Sequence, residues 1–435
     1  AVSSHVWIMR APMLRTRKEI ASARNFARAA PLAEHSAMPR KRVALVISHI
    51  GPGGAQRVVT NAVKILAERG LDPHLIVFTE RADAYPIDPR VTTHVWLRRR
   101  NDNGRLGLDG GNENDVLVAR VPAQVPRLAR SLRQMVPSSL AFSFELVRIS
   151  AWLRRTIRDI EPDAVLSFLT QTNIITVLAT RGLGTHTVIS ERNDPRLQRH
   201  RPRVEFLRRI VYRWADVVTA NSKGALAVLE AFVPRDKLAF LPNPLVVMSV
   251  GDATALRART VITIGRLVEQ KGLDVLLAAW SKARPALPGW RLAIVGDGPL
   301  EDELKALATT LGVEDSVDWL GHVADPFPLL RGADFFVMTS RFEGTPNALL
   351  EAMACGLPAV VSNASPGPSE LVGSDESAAG LTVPVEDAAA TAEAIIRLAR
   401  DQTLRRRLGL AARERVRTHD ADHAIEVWLQ VLRCE

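Results

Sequence analysis

The chain has 435 residues, 47% of them hydrophobic, which suffices for two or three domain cores and excludes a globally disordered protein. Its two cysteines, Cys355 and Cys434, exclude a disulfide framework and fit a reducing compartment. The net charge of +10 points to nucleic acid, an anionic membrane or phosphate-bearing small molecules, or simply to an arginine-rich proteome. With 5% aromatic residues and no zinc-finger spacing or stacking motif, nucleic acid is the least supported partner.

Residues 1–41 are basic, poor in acid and lack the apolar run of a secretory signal. They read as a disordered tail, or as an extension ahead of a start at Met38. An apolar run at Val43–Ser48 predicts a buried parallel strand. The glycine-rich turn Gly51–Gly54, a helix over Ala55–Arg69 and a strand over His74–Phe78 then complete a β-loop-α-β unit, the opening of a doubly wound sheet. Residues 98–116 are polar and rich in Gly, Asn and Asp, a long loop. Helices are expected over 122–135 and 144–160. The second mixes Val147, Ile149, Trp152, Leu153 and Ile157 with Arg148, Arg154, Arg155 and Arg158. Such a helix is either an ordinary solvated one or a surface for an anionic membrane. Ala164–Thr180 carries no charge, and its Ser167, Gln171 and Asn173 suit a buried strand and helix better than a membrane span.

Further strands are expected at Thr187–Ser190, Val217–Ala220 and Leu238–Leu241. The pattern then restarts, with strands at Val261–Ile264, Arg291–Val295, Val317–Leu320, Phe335–Thr339 and Ala359–Ser362 and helices at Leu273–Ala283, 300–311, 346–354 and 387–400. The implied organisation is a first α/β domain over 42–243, a linker over 244–258, a second over 259–423 and a final helix over 424–435.

The strongest local signal is the stretch 341–358, RFEGTPNALLEAMACGLP. Thr345 suits a helix N-cap, Pro346 the first helical position and Gly356 the stop. Glu343 lies just before that N-terminus and Glu351 about one and a half turns inside. Free N–H groups at such a start can take a phosphate or sugar hydroxyls, and the two carboxylates can hold further hydroxyls. Read singly, either glutamate could be an ordinary surface acid. Gly53 and Gly54 allow backbone to approach a ligand closely, or serve only a strand-to-helix turn. Gly296-Asp297-Gly298 resembles a dinucleotide fingerprint weakly; it follows the second strand of its half and lacks the third small residue. His419-Asp-Ala-Asp-His423 has a metal-like spacing but reads as a polar helix start, so no metal site is expected.

Taken whole, 341–358 resembles the E-x7-E segment of the retaining glycosyltransferases of family 4, which have the GT-B fold of two Rossmann-like doubly wound α/β domains facing across a cleft. The resemblance spans about 42–432 and takes in the loop Ser48–Arg57, Ser190–Pro195, Asn221-Ser222, Pro242-Asn243-Pro244, Gly265-Arg266-Leu267 with Lys271-Gly272, Gly296–Pro299 and Ser365–Glu370.

It implies that Glu343 contacts the donor sugar near the reaction centre and that Glu351 holds the ribose hydroxyls. It also implies that Arg266 and Lys271 hold the diphosphate, offsetting its growing charge as it leaves. Gly53, Gly54, Gly265, Gly296, Gly298, Gly344, Thr345, Pro346 and Asn347 complete the expected donor site. His49, Glu191, Arg192 and Asn193 are candidates for contact with acceptor or sugar. Many family members carry a histidine near 192, where this chain has Arg192, which puts a catalytic histidine here in doubt.

The implied activity is transfer from a nucleotide sugar, expected to be a UDP-sugar, to a saccharide acceptor that is lipid-linked in many relatives, in polysaccharide or glycoconjugate synthesis. The acceptor hydroxyl would attack from the side the diphosphate leaves. No cofactor or metal is expected, and the location implied is the cytoplasm, with peripheral contact to the inner membrane's cytoplasmic face. A GT-B-fold epimerase or phosphorylase, or a non-catalytic sugar-binding scaffold, are the alternatives.

Overall fold

Short apolar runs alternate with amphipathic helices to build two parallel sheets in the computed structural model, which describes residues 40–51, 53–79, 85–97, 138–198, 200–246 and 259–435. The N-terminal tail, the polar loop over 98–116, the helix expected over 122–135 and most of the 244–258 linker lie outside the described residues.

The first sheet holds β1 (Arg42–Ile47), β2 (Asp72–Thr79), β3 (Thr92–Leu97), β4 (Ala164–Phe168), β5 (His186–Glu191), β6 (Val217–Ala220) and β7 (Leu238–Phe240), in the order β3-β2-β1-β4-β5-β6-β7. The second holds β8 (Thr260–Ile264), β9 (Arg291–Val295), β10 (Val317–Gly321), β11 (Phe335–Met338), β12 (Ala359–Ser362) and β13 (Gly380–Val383), in the order β10-β9-β8-β11-β12-β13. Each sheet reverses direction beside its first strand, the topology that opens a crevice at the carboxyl ends of the strands.

The helices are α1 (Gly54–Glu68), α2 (Ser138–Ile160), α3 (Thr170–Thr180), α4 (Pro202–Val211), α5 (Lys223–Leu229), α6 (Leu273–Ala283), α7 (Glu301–Thr310), α8 (Phe327–Arg331), α9 (Asn347–Ala354), α10 (Pro366–Val372), α11 (Ala388–Arg400), α12 (Gln402–Val416) and α13 (Ala421–Leu432). They cover both faces of each sheet, so the central strands are apolar on both sides. In β1, Val43, Leu45 and Ile47 pack under α1 and α13, while Ala44 and Val46 face Ile149, Leu153 and Ile157 of α2. In β8, Val261 and Ile262 divide in the same way between two cores.

One alternative falls here and one expectation is met. The apolar face of α2 does not meet a membrane: Ile149, Leu153 and Ile157 are buried, and Trp152 stands edge-on to Phe78 with ring centroids 6.4 Å apart. Sheet packing claims the stripe that the sequence offers to lipid. The uncharged stretch Ala164–Thr180 is β4 followed by α3, and among the described residues no helix is long and apolar enough to cross a membrane.

The chain crosses between the sheets twice. After α12 it returns, and Ile425, Trp428 and Leu432 of α13 enter the core under β1 and β4. Trp428 Nε1 donates to the Pro242 carbonyl at 2.9 Å, and Leu245 N donates to the His419 carbonyl at 2.9 Å, tying the two crossings together.

Candidate active site

The loops that follow the strands of both sheets line a single cavity of about 210 Å³. From the first half come Gly53, Gly54 and Arg57, with Arg192, Asn193, Asn221 and Asn243. From the second come Gly265, Arg266, Lys271, Gly296, Glu343, Thr345, Pro346, Asn347 and Glu351.

Glu343 leaves β11 in a loop fixed at several points. Its backbone N–H donates to Ser365 Oγ at 2.9 Å, and Ser365 Oγ donates to the Glu343 carbonyl at 2.7 Å. Its carboxylate accepts from Ser340 Oγ at 2.8 Å and from Lys271 Nζ at 2.6 Å. Lys271 and Glu343 therefore meet as one charge pair at the cavity wall, with 23% and 8% of their side chains exposed.

Glu351 faces the first half. Arg57, on α1, reaches across the cleft to its Oε1 at 2.8 Å, while Oε2 is buried and has no hydrogen-bond partner. Burial raises the Glu351 carboxyl to about 7, and the charge and hydrogen bond of Arg57 hold it from rising further. The carboxylate thus has one oxygen committed to Arg57 and one without a partner.

The two loops after β8 and β9 touch because Gly296 lacks a side chain. Its φ is +136°, and a Cβ there would lie 1.9 Å from the Gly265 carbonyl oxygen. That contact brings Gly265 and Arg266 beside Gly296 at the cavity wall.

Thr345 does not cap the helix. Its hydroxyl donates to the Asn221 carbonyl in the other half, α9 begins at Asn347, and Pro346 takes the cap position. Asn243 completes the junction, donating to the Thr345 carbonyl at 2.9 Å and to Asn347 Oδ1 at 2.7 Å, and Asn347 Nδ2 donates to the Gly54 carbonyl at 3.0 Å.

The candidate acceptor contacts divide. Asn193 lines the cavity. Arg192 borders it, but its guanidinium lies 4.8 Å from the Phe168 ring and 5.6 Å from the Trp428 ring and donates to Asn243 Oδ1 at 2.7 Å. Desolvation lowers its pKa to about 9. It serves the junction between the halves. Glu191 is turned into the first core, where it accepts from Tyr212 Oη at 2.5 Å and Thr170 Oγ1 at 3.0 Å, and burial raises its pKa. His49 is buried, its Nδ1 accepting the Gly51 N–H at 3.1 Å. Neither Glu191 nor His49 is among the residues lining the cavity. Gly298, two residues beyond Gly296, is not among the lining residues; its Cβ site lies 2.5 Å from the Leu267 carbonyl oxygen, and it shapes that loop.

Arg57, Asn221 and Asn243 stand within the sequence motifs, but the sequence assigns them no role. The only signal for Arg57 was its place after the glycine loop on the cleft-facing start of α1. Among the described residues, no group of three or more His, Cys, Asp or Glu side chains is placed to hold a metal ion.

Comparison with known proteins follows the same division in two. Residues 53–244 match the glycosyl transferase 4-like domain, and residues 253–415 match the glycosyl transferases group 1 model. The chain is 27% identical over 392 residues to N-acetylgalactosamine-N,N'-diacetylbacillosaminyl-diphospho-undecaprenol 4-alpha-N-acetylgalactosaminyltransferase of Campylobacter jejuni, covering 87% of this chain and 96% of that one. It is 38% identical over 180 residues to the lipopolysaccharide core biosynthesis glycosyltransferase LpsE of Rhizobium meliloti, 41% of this chain and 51% of the relative. Among solved structures, Anabaena HepE superposes with a TM-score of 0.67 at 18% identity, over 91% of this chain and 100% of that one. The fold is the two-domain GT-B architecture, both halves match models of glycosyltransferase domains, and glycosyltransferase activity is supported.

Proposed function

We propose that the chain transfers a sugar from a UDP-sugar to a hydroxyl of a lipid-linked saccharide, with retention at the anomeric carbon. One observation carries this reading: Glu343, Lys271, Arg266 and Glu351 line the same cavity, opposite the glycine loop and Arg57 of the other half. A nucleoside diphosphate needs cations beside its phosphates and an acceptor for its ribose hydroxyls. Arg266 and Lys271 supply the first, and the unpartnered Glu351 oxygen supplies the second. Glu343, held by Ser340 and Lys271, faces the donor sugar. Charge that develops on the leaving diphosphate is offset by Arg266 and Lys271, and the acceptor proton passes to a phosphate oxygen on that same side.

The named activity of the Campylobacter relative supports a diphospho-lipid acceptor, and the UDP held in the HepE structure supports a uridine donor. These are properties of those proteins, brought here because the fold is shared and the sequence is similar over most of both chains. With two fixed cations at the diphosphate, the reaction is proposed to proceed without a divalent ion.

Calorimetric titration with UDP, GDP and ADP tests the donor site. UDP should bind most tightly, and Arg266→Ala should weaken it by roughly tenfold to a hundredfold, the worth of a charge-assisted phosphate contact. Absence of nucleotide binding by folded protein would remove the assignment and favour a scaffold. NMR of the product's anomeric proton, with chelator present, reads both retention and metal dependence.

A further inference from the structure

Among the described residues seven large apolar side chains are exposed, and four of them, Leu197, Phe206, Ile210 and Trp214, fall within 197–214. Phe206, Ile210 and Trp214 recur every fourth residue along α4 and the helical turn Tyr212–Trp214 that extends it, so they form one stripe. They are 65%, 38% and 45% exposed. The opposite side of α4 is satisfied, since Val204 and Val211 pack with Ile174, Val177 and Tyr212. The stripe is therefore not the helix's core-facing side.

Charge surrounds it. Residues 196–214 contain seven arginines and one acid, Glu205. Arg201, Arg203, Arg209 and Arg213 are exposed, and helical spacing puts the last three beside the stripe. Arg181, arriving from the end of α3, stacks on the Trp214 ring at 4.0 Å. An apolar stripe with an exposed tryptophan, bordered by guanidinium groups, matches the boundary between acyl chains and anionic headgroups: the rings enter the apolar layer and the arginines meet phosphates. A protein partner would tend to exclude charge from the centre of such a patch.

We propose that the exposed face of α4 and its extension, Phe206, Ile210 and Trp214 with Arg201, Arg203, Arg209 and Arg213, docks the protein on an anionic bilayer. The loop 192–201 joins this face to the cavity wall at Asn193. A docked bilayer would present a lipid-carried acceptor near the cleft, a consequence that rests on the proposed function; the docking itself does not.

The test is sedimentation of the full chain with phosphatidylcholine vesicles, alone and with about a third phosphatidylglycerol, in the absence of donor. Binding to the anionic vesicles is expected, weakening as salt rises. The double variant Phe206→Ser, Ile210→Ser should bind roughly tenfold or more weakly. Arg201→Gln with Arg203→Gln should lose roughly fivefold per arginine. Val147→Ser, exposed on a different helix, should bind as the parent does. Thermal melting and circular dichroism of the variants establish that each is folded. No binding by the parent, or equal binding by the Phe206→Ser, Ile210→Ser variant, would overturn the proposal. So would a shift of that variant from dimer to monomer in light scattering, which would assign the face to a second copy of the chain. Because no donor is present, failure here leaves the transferase reading standing, and failure of nucleotide binding leaves the docking result standing.

Discussion

At Glu351 two influences oppose each other. Burial disfavours the ionised carboxylate, and Arg57, 2.8 Å away on the other half, favours it. Burial prevails, so the group titrates near 7 rather than at the usual 4.5. An acid whose folded pKa exceeds its unfolded one stabilises the fold below the unfolded value, and that contribution is lost as pH rises through the folded value. The ligand-free protein should thus lose on the order of 3 kcal/mol from this group between about pH 4.5 and about pH 7. Ribose hydroxyls, in contrast, need the carboxylate as an acceptor, so UDP affinity should rise over the same range. Opposite slopes of thermal stability and UDP affinity against pH are the expected outcome, both flattened in Glu351→Gln. UDP affinity that is independent of pH would remove Glu351 from the ribose site. Arg57→Ala takes away the opposing charge; it should move the binding midpoint to higher pH and weaken UDP binding at neutral pH by roughly tenfold.

The loop between β11 and α9 shows what one element must satisfy at once. It carries Glu343, passes beside Ser365 and meets the first half at Gly344. A Cβ on Gly344 would lie 2.1 Å from the Arg192 carbonyl oxygen and 2.7 Å from Asn221 Oδ1. Gly344→Ala must therefore push the halves apart at the cavity wall, since the nearest atom is backbone. Destabilisation of roughly 1–3 kcal/mol is expected, with UDP affinity reduced more than tenfold while circular dichroism stays that of the parent. Unchanged UDP affinity would mean that the junction yields without cost. Elements like this one explain what the sequence conceals. Central strands such as Val43–Ile47 are legible because burial on both faces requires an unbroken apolar run. The edge strands β3 and β13 escape notice, for Thr92 and Thr93 are exposed and Gly380–Val383 is short and opens on glycine. Helix α2 and helix α4 have the same mixture of arginine and apolar residues. Only the fold decides that Ile149, Leu153 and Ile157 of α2 are buried while Phe206 and Ile210 of α4 stay exposed. Of the site, Glu343, Lys271 and Glu351 are legible as a motif, whereas the partners Arg57 and Asn243 are brought in from the other half by the fold.

Across the whole molecule, the first half is incomplete without the end of the chain. Trp428 is fully buried beneath the first sheet, its ring centroid 5.9 Å from that of Phe168, with the Arg192 guanidinium beside both rings. Arg192 in turn donates to Asn243, and Asn243 donates to Thr345 and Asn347 of the second half. One side chain on α13 therefore supports both the first core and the contact that closes the cleft. Trp428→Ala leaves a large cavity and removes a π face from a buried cation, a cost of roughly 3–5 kcal/mol. The second core, with Trp280 and Trp290 packed among its own helices, shares no side chain with this cluster. Calorimetry of Trp428→Ala should accordingly show unfolding split into an early transition of the first half and a later one near the parent temperature. UDP binding should weaken already below the first transition, because Asn243 loses its anchored partner. A single transition shifted as a whole would mean instead that the halves unfold together, with the cleft contacts strong enough to couple them.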